Sequence, residues 1–62
     1  MWFVVLAKTG QFISIHRNAM DADYTWTEHT FGDDKSPCSI YNVTGNTIES
    51  AVRNAKLLQA NL

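Results

Sequence analysis

The chain has 62 residues, 45% hydrophobic and 18% charged, with a formal net charge of −1. That size suits one domain, residues 1–62, near the lower limit for an independent core, and the composition excludes an intrinsically disordered chain. The near-neutral charge removes the broad attraction to phosphate on which nucleic-acid binders depend, and a single cysteine, Cys38, excludes an internal disulfide or a cysteine-rich zinc site.

Residues 2–8 and 11–17 are predicted strands joined by Thr9-Gly10, a two-residue connection whose glycine can take the positive φ of a tight hairpin. Pairing Lys8 with Gln11 then sets the register: Ala7 with Phe12, Leu6 with Ile13, Val5 with Ser14, Val4 with Ile15, and Phe3 with His16. Directly opposed residues share a face. One face carries Trp2, Val4, Leu6, Ile13 and Ile15; the other carries Phe3, Val5, Ala7 and Phe12 beside Ser14 and His16. The opening MWFVVLA is therefore apolar on both faces, where a half-buried strand alternates.

Residues 23–31 (DYTWTEHTF) alternate with period two and are rich in threonine and aromatics, which predicts a third strand. Residues 32–37 read as a loop and 38–44 (CSIYNVT) as a fourth strand ended by Gly45. Asn46 is the expected N-cap of a C-terminal helix, with Glu49 at its third position. Ile48, Ala51, Val52, Ala55, Leu58 and Leu62 form its apolar stripe, and Leu57 points away from it. The expected fold is α+β: a four-stranded, mainly antiparallel ββββα sheet with one helix packed on one face. A lone helix covers only one side of a sheet, so the Phe3, Val5 and Phe12 face is expected to stay open and to mark an interface.

Catalytic and cofactor signatures are sparse. The glycines are isolated, and neither zinc-ligand spacing nor HExxH occurs, so no cofactor and no metal is expected. Cys38 has no base or helix start beside it and reads as a small buried or half-buried side chain. Asn42-Val43-Thr44 matches a glycosylation sequon, which without a secretory signal is accidental. The start lacks a basic leader and a cleavage site, and no segment is long enough to cross a bilayer, so a reducing cytoplasm is the expected compartment, with no membrane partner.

Charge placement carries more. Asp21, Asp23, Glu28, Asp33 and Asp34, five of the six acids, fall within fourteen residues free of lysine and arginine, giving an acidic edge. That edge either keeps sheets from pairing or docks on a basic surface. The expected function is a non-enzymatic protein-binding module that acts by occlusion. Phage and mobile-element inhibitors of host nucleic-acid machinery, of the anti-CRISPR or anti-restriction type, share this size and character. The expected contact residues are Phe3, Val5, Phe12, His16, Asp21, Asp23, Glu28, Asp33 and Asp34. The occupant is another protein, such as one with a basic nucleic-acid-binding surface, or a second copy in a homodimer through the open sheet face. Two rivals remain: a small nuclease or toxin using His16 and His29, and a weak nucleic-acid-binding accessory protein using Arg53 and Lys56.

Overall fold

A computed structural model describes residues 1–32 and 36–61. Along the chain run β1 (Trp2–Ala7), β2 (Phe12–His16), α1 (Ala19–Phe31), β3 (Cys38–Val43) and α2 (Ile48–Ala60). The strands form one antiparallel sheet in the order β2-β1-β3. The fold is α+β, but the expected four-stranded ββββα arrangement is overturned: among the described residues there are three strands, and each face of the sheet carries a helix.

The difference lies in residues 23–31, expected as a strand and found inside α1. Asn18 starts this helix, its side chain accepting from the Asp21 backbone N–H at 2.8 Å and donating to the Asp21 carboxylate at 3.0 Å. Ala22, Thr25, Trp26, His29 and Thr30 are the buried or half-buried residues of the helix. Their i, i+3, i+4, i+7, i+8 spacing is that of one helical face. Ala22 is the small residue that lets α1 settle against Val5, and Trp26 Nε1 donates to the Cys38 carbonyl at 2.9 Å, tying the helix to β3.

The hairpin shows two compensating departures from the expected register. Gly10 does take a positive φ, +92°, but the loop is Lys8-Thr9-Gly10: the Gly10 N–H donates to the Ala7 carbonyl at 2.8 Å, and the Ala7 N–H donates to Gln11 at 2.9 Å. A turn followed by a left-handed glycine is the usual three-residue hairpin loop. Phe12 consequently pairs with Leu6, and a β-bulge at Ile13 restores the expected pairs Val5 with Ser14, Val4 with Ile15 and Phe3 with His16. Only Phe12 and Ile13 change sides, because a one-residue slip reverses a side chain's face.

On one face Trp2, Val4, Leu6 and Val43 pack with Ala51 and Ala55 of α2, with Phe12, Ile15, Tyr41 and Leu58 against them. On the other, Val5 packs with Ala22 and Cys38, with Phe3, Ile13, Trp26 and Ile40 around them. The central strand β1 is thus sandwiched, and the all-apolar MWFVVLA segment is apolar because the chain covers both of its faces. Fully burying each valine or leucine here contributes about 1.5–3 kcal/mol relative to exposure.

The start of α2 lies one residue later than expected. Thr47, not Asn46, is the N-cap, and it forms a reciprocal capping box with Ser50. Just before it, Gly45 passes so close to the helix that an added Cβ would sit 2.6 Å from the Ala51 nitrogen. The Gly45 carbonyl accepts from Trp2 Nε1 at 3.0 Å, and the Arg17 guanidinium lies over the Trp2 ring at 4.7 Å. Leu57 points to solvent as expected; Ile48, expected on the buried stripe, is also exposed. Leu62 lies outside the described residues.

Candidate protein-docking face

The residues expected to form a contact surface separate in three dimensions. Val5 is fully buried, and Phe3 is half-buried beside it beneath α1. Phe12 is half-buried on the opposite face, against the α2 cluster. The expected open sheet face is therefore overturned: the chain's own helix α1 covers it. Asp21, Asp23 and Glu28 are exposed, but on the helix α1 and not on a strand edge. Asp33 and Asp34 lie outside the described residues.

His16 sits at the end of β2 with its Nε2 2.8 Å from Ser14 Oγ and 3.3 Å from Thr25 Oγ1. The first distance is that of a nucleophile and its base. A hydrolytic dyad also requires a group that orients the imidazole. Among the described residues no side chain bonds its Nδ1, and the two hydroxyls occupy its Nε2. The Thr25 contact joins β2 to α1. His29, the other member of the expected histidine pair, is half-buried on α1, and no hydrogen bond joins it to His16 among the described residues. Cys38 is buried, its sulfur 3.9 Å from both the Trp26 carbonyl and Thr30 Oγ1, so it is the small interior side chain expected. No group of three or more potential metal ligands occurs among the described residues. A shallow, open depression between the hairpin turn and α2 is lined by Gln11, Lys56 and Gln59 among others.

The feature missed in the sequence is on the outer side of α1. Met20, Tyr24 and Phe31 are 80%, 69% and 67% exposed. With exposed Thr27 they recur at i, i+4, i+7 and i+11, within about 60° of arc directly opposite the buried stripe. Phe31 is oriented by an edge-to-face contact with Trp26, ring centroids 5.7 Å apart and planes at 84°. By the same helical geometry Asp21 and Glu28 border the stripe on one side and Asp23 on the other. The face therefore has an apolar centre about 16 Å long with acidic margins. Its signal in the sequence is the i, i+4, i+7, i+11 spacing of residues 20, 24, 27 and 31, which lines up only at a helical period. Among the described residues no helix is long and apolar enough to cross a membrane. In comparisons with protein families, characterised proteins and solved structures, nothing matches this chain.

Proposed function

We propose that this chain is a non-enzymatic protein-binding module that acts by occlusion, with the outer face of α1 as its contact surface. The observation that carries this reading is the stripe of Met20, Tyr24 and Phe31, three large side chains held out to solvent on one line of a helix. Scattered apolar residues on a surface are ordinary; a continuous stripe rimmed by polar groups is characteristic of an interface. Laying such a stripe into an apolar groove is a recurrent mode of helix recognition.

The margins indicate the partner's chemistry. Asp21, Asp23 and Glu28 suit a groove rimmed with lysine or arginine, which would also speed encounter. They are too sparse to imitate a duplex. Three acids on a helix about 20 Å long compare poorly with one phosphate charge per about 1.7 Å of duplex axis. The charge supports a local patch on a basic protein, which fits an inhibitor of nucleic-acid machinery only where that machinery offers an apolar groove.

Photo-crosslinking tests the reading. With benzoylphenylalanine in place of Tyr24, irradiation in extract of the source cells should label a discrete protein, whereas the same group at Leu57 on α2 should not. Phe31→Ser, introduced beside the crosslinker, should abolish the labelling. Equal labelling from both positions, or labelling indifferent to Phe31, would refute a specific contact through α1.

A further inference from the structure

We propose that the outer edge of β3 pairs with the same edge of a second copy of this chain, merging two three-stranded sheets into one of six strands in the order β2-β1-β3-β3-β1-β2. The inference rests on backbone geometry and is independent of the α1 face.

The hydrogen bond from the Lys8 N–H to the Pro37 carbonyl, 3.1 Å, identifies Ala7 and Cys38 as a pair that exchanges no bonds directly. Bonded and non-bonded pairs alternate along an antiparallel ladder. Ser39, Tyr41 and Val43 therefore spend their backbone groups on β1, while Cys38, Ile40 and Asn42 direct theirs away from the sheet. The Cys38 carbonyl is taken by Trp26 Nε1. Among the described residues no strand lies beyond β3, so the outward N–H and C=O groups of Ile40 and Asn42 are presented at the edge.

The two edges of the sheet are not equivalent. β2 is five residues long, carries the bulge at Ile13 and is followed directly by Arg17. Shortness, bulges and charge are the devices by which natural sheets blunt an edge. β3 has none of them: six residues, CSIYNV, pair regularly with β1 and include no charged residue and no proline. Such an edge is a template for another strand.

One two-fold register uses every outward group of Ile40 and Asn42. A two-fold axis through Tyr41 sets Ile40 of each chain opposite Asn42 of the other, so the two outward N–H and two outward C=O groups of each copy form four intermolecular bonds. Tyr41 then faces its counterpart in a non-bonded pair, the position where opposed side chains approach most closely. The area is small beside the roughly 1,200 Å² of a stable interface, so the dimer is expected to be weak and concentration-dependent.

Sedimentation velocity over a concentration series should show monomer passing to dimer. In the same series the amides of Ile40 and Asn42 should gain protection from hydrogen exchange, while those of β2 do not. Asn42→Pro removes an N–H that β1 does not use, so it should leave the far-UV spectrum folded and weaken dimerisation at least about tenfold. Tyr41→Cys should form an intermolecular disulfide on mild oxidation, and Ser39→Cys should not, because the two-fold register sets residue 39 opposite residue 43. The cysteine pair also decides the matter if the proline variant fails to fold. A monomer up to roughly 1 mM, a dimer that Asn42→Pro leaves intact, or a disulfide favoured at Ser39→Cys would overturn the proposal.

Discussion

Val4 and Val5 are consecutive on β1, and each is fully buried, on opposite faces of the sheet. Val4 lies beneath α2, with Ala51 and Ala55, and Val5 beneath α1, with Ala22. A carboxylate at either position has no partner and would have to be buried or protonated, costing at least about 3 kcal/mol. A single core in a chain this small supplies only about 3–5 kcal/mol. Val4→Asp and Val5→Asp should therefore both abolish the folded far-UV spectrum. A cooperative urea transition retained by Val5→Asp alone would mean that α1 does not seal its face.

That symmetry also shows what could be read from the sequence. The unbroken apolar run of β1 signals two covered faces; the second cover is α1 and not, as expected, another molecule. The pairs Phe3 with His16, Val4 with Ile15 and Val5 with Ser14 were legible, as were the C-terminal helix and the packing of Val4 and Leu6 against it. The helix α1 was obscured because its inward stripe includes Thr25, His29 and Thr30, polar residues that dilute the helical period. Its alternating threonines and aromatics, which favour strands, mimic a period of two. The Asn18 cap three residues before Asp21 was the local clue to the contrary. Tertiary packing of Ala22 and Trp26 decides the contest. Of the candidate contact surface, the exposed acids were legible as a cluster, but their apolar companions became a stripe only once the helix was in place.

The capping residue offers a direct test of that explanation. Asn18 satisfies the Asp21 N–H at the start of α1, and replacing an N-cap asparagine by alanine costs about 0.5–2 kcal/mol. Asn18→Ala should lower the unfolding free energy by that amount, read as a fall in the urea midpoint at unchanged slope. Asn18→Asp, which keeps an acceptor, should retain most of the lost stability despite its repulsion from Asp21. An unchanged midpoint in the alanine variant would show that α1 is held by packing alone.

The glycines separate steric from conformational demands. At Gly45 an added Cβ meets the Ala51 nitrogen and Cα at 2.6 and 2.8 Å, backbone atoms that cannot swing aside. At Gly10 the nearest atom is the Gln59 Cγ at 4.0 Å, but φ is +92°. The left-handed conformation costs a non-glycine residue about 1–2 kcal/mol. Forcing the Gly45 loop off α2 would loosen the capping box and the Trp2 Nε1 bond, a loss of about 2–4 kcal/mol. Gly45→Ala should accordingly lower the thermal midpoint more than Gly10→Ala. The reverse order would mean that the segment before α2 adjusts without cost.

Tyr24 is the residue where docking can be tested apart from stability. It is 69% exposed at the centre of the outer stripe and has no packing role in either core cluster. Tyr24→Glu should shift the unfolding free energy by no more than about 0.5 kcal/mol, as for surface substitutions in general. Phe31→Ser is a useful contrast, since losing the edge-to-face contact with Trp26 should cost about 0.5–1.5 kcal/mol. Retention on a hydrophobic-interaction column should fall in both variants, because each interrupts the same apolar strip. If Tyr24→Glu instead destabilises the domain by 2 kcal/mol or more, roughly the cost of emptying a core site, the tyrosine belongs to the interior and α1 has no free outer face to offer a partner.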